Sequence, residues 1–185
     1  MRIPVVIQYR HVHLCKRDYH TLFGEEKPTV LRTLSHHEQV VLQDTVDIET
    51  KTGVLNHVRI LGPTRAETQV ELSATDAAAL KLHAPLRVSG DMTHGASCTL
   101  RGPCGVVRAQ RCVIIPARHV HLNPNSAKQL NISHGQLISL VLGKETQEKM
   151  DHVTVRVHPT FMNEFHLTTD EAAEFWLQSG DFVEI

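Results

Sequence analysis

The chain contains no apolar run that approaches the roughly 18 residues a membrane span needs. It carries no excess of either charge: 19 Lys and Arg stand against 20 Asp and Glu, a formal charge of -1. Without a basic field, attraction to a phosphate backbone gives no drive towards nucleic acid. With 10 Gly and 8 Pro among 185 residues, it is neither collagen-like nor of low complexity. At 41% hydrophobic and 21% charged it is not a disordered polyelectrolyte either. The start, Met1-Arg2-Ile3-Pro4-Val5-Val6-Ile7, is too short for a secretory signal and has no small-residue cleavage site. Cysteine occurs at 15, 98, 104 and 112 with no Cys-x-x-Cys, so a reduced cytosolic chain is expected rather than a disulfide scaffold. Histidine is abundant, with 14 residues, and it is the commonest metal ligand.

The pattern predicts a β-rich chain with short helices, enough for one domain or two small ones. Strands are expected over 2–9, two or three within 39–60 around a Thr52-Gly53 turn, and 68–72. Further strands are expected near 86–89, 97–101, 104–108, 111–116, 136–142, 152–157 and 181–185. Helices are predicted over 14–23, stopping at Gly24, and over 74–82 behind Ser73. Two more follow, one from Asn123-Pro124 to about 130 and one behind the Thr168/Glu171 capping box to about 177, ended by Gly180. Many short strands at regular spacing point to small barrels.

The chain repeats itself. Arg10-His11-Val12-His13-Leu14 recurs as Arg118-His119-Val120-His121-Leu122. Glu71-Leu72-Ser73-Ala74-Thr75-Asp76-Ala77 is answered by His166-Leu167-Thr168-Thr169-Asp170-Glu171-Ala172, and Ser89-Gly90-Asp91 by Ser179-Gly180-Asp181. Two related halves follow.

Residues i and i+2 of a strand share a face, so each His-x-His presents two imidazoles together. The repeat offers Glu71 as third ligand to His11 and His13, and His166 as third ligand to His119 and His121. Both sets suit zinc with an open position. A single His-x-His would more simply be two surface imidazoles; its duplication favours the metal. His36-His37-Glu38 alternate across a strand and read as a polar turn. His20, His57, His83, His94, His134 and His152 have no partner at metal spacing and read as surface; His158 lies before Pro159 with the same bland reading favoured.

Arg65, six residues before Glu71, could be turned towards the metal, where its planar fork suits phosphate or carboxylate; the plain alternative is a surface Arg. Lys51 and Arg59 are read as a basic edge for a phosphorylated cofactor. Gly102-Pro103-Cys104-Gly105 is either a place where a ligand approaches backbone or an ordinary hairpin turn. Cys15 follows the first histidine pair but has no activating neighbour, so it reads as a packed thiol.

Together these blocks, with Leu61-Gly62-Pro63-Thr64-Arg65 and Thr68-Gln69-Val70-Glu71, resemble the PduL-type phosphotransacylases, the phosphate propanoyltransferases, over nearly the whole chain. The resemblance implies two interleaved small β-barrels capped by short α-helices and pseudo-duplicated. It implies a first barrel over 10–116, and a second over 117–185 into which residues 1–9 pair. It implies two zinc ions, one on His11, His13 and Glu71, the other on His119, His121 and His166. It implies reversible exchange of a short acyl group, acetyl or propanoyl, between coenzyme A and phosphate. Arg65 would bind phosphate. Ile7, Gln8, Tyr9 and His119 would meet coenzyme A, with Arg59 on its phosphate side. Tyr9 and Ala173 depart from the family's pattern, which has a small or amide residue and an Asn there, and His36-His37-Glu38 replaces a turn usually holding Pro and Gly. Many relatives carry an N-terminal extension that directs them to bacterial microcompartments; with nine residues before Arg10, free cytosol is expected.

The expected chemistry is direct, metal-assisted attack of the coenzyme A thiol on acyl phosphate, with no enzyme nucleophile. The three-histidine zinc, more electrophilic for its neutral ligands, is expected to take the sulfur. A zinc hydrolase and a non-catalytic zinc or acyl-cofactor binding module are the rival readings. Partners are acyl-CoA and acyl phosphate, neither nucleic acid nor membrane, with a homo-oligomer admitted.

Overall fold

Period-two alternation turns nearly half of the described residues into strand. The computed structural model describes residues 1–24, 27–34, 39–142 and 148–185. His36-His37-Glu38 lies outside them. The elements begin with β1 (Arg2–Gln8), β2 (His11–His13), α1 (Lys16–Phe23), β3 (Val30–Thr33), β4 (Val40–Glu49), β5 (Val54–Gly62), β6 (Gln69–Glu71) and α2 (Ala74–Ala79). They continue with β7 (Leu86–Arg87), β8 (Ala96–Arg101), β9 (Val106–Pro116), β10 (His119–Leu122) and α3 (Pro124–Leu130). The last are β11 (Leu137–Leu142), β12 (Glu148–Val157), β13 (Glu164–Thr168), α4 (Thr169–Glu174) and β14 (Phe182–Glu184). None of these helices is long and apolar enough to cross a membrane.

The chain forms two compact units, Met1–Tyr9 with Ala117–Ile185, and Arg10–Pro116. In the first, six strands close into a barrel in the order β1-β13-β10-β12-β11-β14. The N-terminal strand belongs there because it fills the gap between β13, which it meets in parallel, and β14, which it meets antiparallel. Ile3, Val5, Val120, Val155, Phe165 and Val183 point inward and form the core. In the second unit the ladder β4-β5-β2-β6-β9-β8 closes when β8 pairs back onto β4. Val12, Val46, Ile60, Val70, Leu100 and Val113 fill this barrel.

The sequence repeat survives as structure. Each His-x-His strand pairs antiparallel with the strand that carries the expected third ligand, β2 with β6 and β10 with β13. The following helices are capped alike: Ser73 Oγ accepts from the Asp76 N–H, and Thr168 with Glu171 forms a full capping box. Arg10 reaches Asp76 at 2.5 Å, and Arg118 reaches Glu171 at 3.4 Å, equivalent contacts in the two halves.

Three details differ from the sequence reading. The segments 104–108 and 111–116 form one strand, β9, in which Arg111 adopts φ 49° and the pairing with β8 shifts register. A bulge breaks the alternation without ending the strand. The helices α2 and α4 stop earlier than expected, because Lys81 and Trp176 adopt φ 53° and the next N–H groups, of Leu82 and Leu177, turn back to Ala77 and Ala172 carbonyls. Gly180 therefore lies in the turn before β14 and does not end the helix. The strand β3 was not anticipated; all four of its side chains are exposed, so it carries no inward pattern.

The Gly102-Pro103-Cys104-Gly105 segment is the β8–β9 hairpin turn, and what approaches its backbone is α1. Cys104 N–H donates to the Leu22 carbonyl at 2.9 Å. A Cβ on Gly102 would lie 2.5 Å from that same carbonyl oxygen, and one on Gly105 would lie 2.5 Å from Thr21 O. Neither backbone can yield cheaply. Gly102→Ala should therefore lower stability by about 1–3 kcal/mol, measured by urea unfolding; an unchanged midpoint would show that α1 yields freely.

Candidate metal centres

Val12 and Val70 point into the core of their barrel, so alternation puts His11, His13, Gln69 and Glu71 on the opposite face of β2 and β6. His11 stands opposite Glu71, and His13 opposite Gln69. All four are buried. The ligand atoms of His11, His13 and Glu71 lie within 4.8 Å of one another. His11 Nε2 is 3.4 Å from Glu71 Oε2. That is long for a charge-assisted hydrogen bond, but it matches the edge of a tetrahedron with metal–donor bonds of about 2.1 Å.

The protonation states suit the same role. His13 Nδ1 lies 3.2 Å from the Leu61 carbonyl, which only accepts, so Nδ1 carries the proton and Nε2 keeps its lone pair. Burial, the neighbouring His11 and the Arg65 guanidinium hold the His13 imidazole well below the usual histidine range, against a smaller opposing effect of the Leu61 bond. A neutral imidazole is what zinc requires.

Glu71 is held from its other side. Its Oε1 accepts from Ser89 Oγ at 2.6 Å and from the Gln69 amide. Gln69 Oε1 in turn accepts from Gly90 N–H at 3.0 Å. Arg65 Nη1 donates to Ser89 Oγ at 3.3 Å. The backbone fixes Arg65 there, since its N–H donates to the Leu14 carbonyl at 2.9 Å, directly after the His-x-His strand. The guanidinium is thus half-buried, one hydroxyl away from the Glu71 carboxylate. Sequence reasoning did not single out Gln69 or Ser89 as site residues. The repeated Ser-Gly-Asp block was the available signal for Ser89.

In the other unit Val120 and Phe165 face the core, so His119, His121, Glu164 and His166 share the opposite face of β10 and β13. His119 stands opposite His166, and His121 opposite Glu164. The His119 and His166 rings lie parallel, 5.1 Å apart, while His121 and His166 are 4.5 Å apart. The three atoms that gather within 4.8 Å belong to His121, Glu164 and His166. His119 stands beside this group, its Nδ1 bonded to the Ala117 carbonyl at 2.9 Å. Phe161 stacks on His121 with centroids 3.9 Å apart. Glu164 and Phe161 were both missed from sequence. Glu164 could have been found, because it precedes His166 as Gln69 precedes Glu71; nothing in the pattern marks Phe161.

The residues expected to meet coenzyme A belong to both units. Ile7 and Gln8 end β1 beside Leu167 and Thr168, and Ile7 N–H donates to Ser179 Oγ at 3.1 Å. Gln8 Oε1 is enclosed and finds no hydrogen-bond partner among the described residues. Tyr9 is 69% exposed. Arg59 pairs with His11 across β5 and β2, its Nη1 donating to Gln43 O at 2.7 Å. Lys51 does not share its edge. It sits in the β4–β5 turn, beyond Val54, and from there to Arg59 the strand runs roughly 17 Å. His20, His57, His83, His94, His134, His152 and His158 are all exposed.

The chain matches the family model described as phosphate propanoyltransferase over residues 4–178. A phosphate propanoyltransferase of Thermotoga maritima is 37% identical over 185 residues, covering 99% of this chain and 88% of the relative. That of Shewanella putrefaciens is 37% identical, with 98% and 86% covered. That of Escherichia fergusonii is 39% identical over 171 residues, with 92% and 81% covered.

The donor sets are separate, so they should fail separately. Elemental analysis of the purified chain should give close to two zinc ions, and Glu71→Ala close to one. Full zinc content in Glu71→Ala would remove this carboxylate from the ligand set.

Proposed function

The chain belongs to the phosphate propanoyltransferase family, and from that premise we propose that it exchanges a short acyl group, acetyl or propanoyl, between coenzyme A and phosphate. It is a phosphate acyltransferase by family; the metal assistance and the acyl group are our reading. The units Arg10–Pro116, and Met1–Tyr9 with Ala117–Ile185, serve as its two domains, each contributing one metal centre. A cytosolic setting fits the four free thiols.

The observation that carries the reading is the Arg65–Ser89–Glu71 connection. A cation that can bind phosphate in bidentate fashion is fastened by backbone and hydroxyl to the edge of a His-His-Glu cluster. Zinc held by His11, His13 and Glu71, and in the other unit by His121 and His166 with His119, would polarise an acyl carbonyl and favour the thiolate form of a bound thiol.

The protein's own residues do the rest. The coenzyme A sulfur attacks the carbonyl carbon of the acyl phosphate; a C–S bond forms, the C–O bond to phosphate breaks, and phosphate departs with that electron pair. Arg65 meets the charge that develops on the leaving oxygens. Ser89 keeps the guanidinium aimed, and its bond to Glu71 holds the carboxylate at the cluster. Ile7, Gln8, Tyr9 and Arg59 remain our assignments for coenzyme A, whereas Lys51 lies too far along its hairpin to join Arg59.

No enzyme nucleophile is required. Cys98 and Cys112 lie in the barrel core with their sulfurs 3.9 Å apart, and the Cys112 contact together with burial pushes the Cys98 thiol up. Cys15 is buried, and its N–H is held by Thr68 Oγ1. Cys104 is exposed in the β8–β9 turn.

The direct test is thiol release from acetyl-CoA and propanoyl-CoA on addition of phosphate. Consumption of acyl phosphate at the same rate without coenzyme A would favour a hydrolase instead. Arg65→Ala should lower kcat on the order of 10²–10³-fold, with zinc content unchanged; Arg65→Lys keeps the charge without the fork and should fall between. Wild-type kinetics in Arg65→Ala would take Arg65 out of the mechanism. Cys15→Ala should stay within about tenfold of wild type, about 1.4 kcal/mol in barrier; its complete loss of turnover would point to an acyl-enzyme.

A further inference from the structure

The geometry points to Cys98 and Cys112 as a peroxide-sensitive dithiol, which closes to an intrachain disulfide between β8 and β9 and reopens with a thiol reductant. Neither thiol takes part in the proposed acyl transfer, so the inference stands apart from that reading.

Alternation alone would keep these two cysteines apart. Cys98 and Leu100 face the barrel core from β8, and Cys98 is paired with Ala109, which is buried as well. An uninterrupted β9 would turn residues 109, 111 and 113 inward and Cys112 outward. The bulge reverses this. Between the pairs Cys98–Ala109 and Ala96–Val113, β9 has three residues where β8 has one. Arg111, at φ 49°, is exposed and carries the chain through the bulge, so Cys112 returns to the core beside Cys98. Ser97 holds the bulge in place: its Oγ accepts from the Arg111 N–H at 3.0 Å and donates to Gln110 Oε1 at 3.2 Å. The Arg111 carbonyl packs on Gly95, where a Cβ would lie 2.8 Å from its oxygen. The sulfur contact of 3.9 Å is therefore a product of the register.

The two thiols are not equivalent. The hydrogen bond from Cys98 holds the Cys112 thiol below its ordinary range, against the opposing effect of burial, while Cys98 is pushed the other way. The thiolate is the form that oxidants meet, so Cys112 reacts first. Cys112 lines the cavity that Arg65 also lines, but it is only 2% exposed. Hydrogen peroxide, scarcely larger than water, is the oxidant that fits such an approach. The Cys112 thiolate attacks one peroxide oxygen; the O–O bond breaks, hydroxide leaves and a sulfenic acid forms. The Cys98 sulfur then attacks the Cys112 sulfur. An S–S bond forms, the S–O bond breaks, and the Cys98 proton leaves with the hydroxyl as water. With the Cys112 proton taken up by hydroxide, two thiols and one peroxide give one disulfide and two waters. The sulfurs close from 3.9 Å to about 2.05 Å. The new bond ties β8, which closes the barrel by pairing with β4, covalently to β9.

The test uses the full chain carrying Cys104→Ala, which removes the exposed thiol and leaves three. The folded protein is treated with hydrogen peroxide, quenched with catalase, denatured and titrated with a thiol reagent. Loss of two thiols, a mass lower by about 2 Da and a Cys98–Cys112 linked peptide, all reversed by dithiothreitol, are the expected result. Adding Cys112→Ala or Cys98→Ala should abolish the mass loss, with urea unfolding confirming that each variant is folded. Three thiols still titrating, oxygen added to sulfur without a cross-link, or a disulfide made through Cys15 would each overturn the assignment. Cross-linking at the same rate in urea-unfolded chain would overturn it too, because the fold would then contribute nothing to the pairing.

Discussion

The two strand pairs β2 with β6 and β10 with β13 must satisfy opposite environments at once, and the rest of the structure is arranged around that demand. On one side they present Val12 and Val70, or Val120 and Phe165, to an apolar core. On the other they present imidazoles and carboxylates that are equally buried. A strand can do both because its side chains alternate strictly, and a slip of one residue would send these polar side chains into the core. Barrel closure prevents that slip, since each of these strands is also hydrogen-bonded along its second edge: β2 by β5, β6 by β9, β10 by β12 and β13 by β1.

The buried charge is then managed locally. Ser89 both receives from Arg65 and donates to Glu71, so one hydroxyl couples the Arg65 guanidinium to the buried Glu71 carboxylate. The Gln69 amide donates to the same carboxylate oxygen. The arrangement leaves Glu71 with one oxygen committed to the protein and the other turned towards His11. That division of labour fixes the direction from which the carboxylate can serve a metal.

Much of this was legible in the sequence because it was written twice. The duplicated Arg-His-Val-His-Leu string identified the four histidines, and aligning the halves nominated Glu71 and His166 without any contact information. The helix starts at Ser73, Asn123 and Thr168 were legible because capping is local chemistry. What stayed hidden depends on pairing between distant segments. Glu164 matters through its register against His121, and Phe161 through the loop that lays it on that imidazole. Lys51 was grouped with Arg59 because they are close in sequence, yet an extended strand carries them apart. The left-handed residue Arg111 defeats period-two reading within β9, since a bulge shifts the phase of everything after it.

The placement of β1 has a further consequence, for the order in which the chain can be built. The unit Arg10–Pro116 is continuous, so every strand it needs has been synthesised once Pro116 is made. The other unit begins earlier and finishes later: β1 pairs with β13 and β14, and the Met1 amino group donates to the Ile185 carbonyl at 2.7 Å. Its first strand must wait through more than a hundred and fifty residues of synthesis for both neighbours. Until then an apolar strand bearing Ile3 and Val5 has open edges. The loop it must close is nearly the whole chain, the kind of non-local contact that slows folding. In a cell, β1 thus leaves the ribosome well before the two strands it pairs with, and takes its place only after they follow.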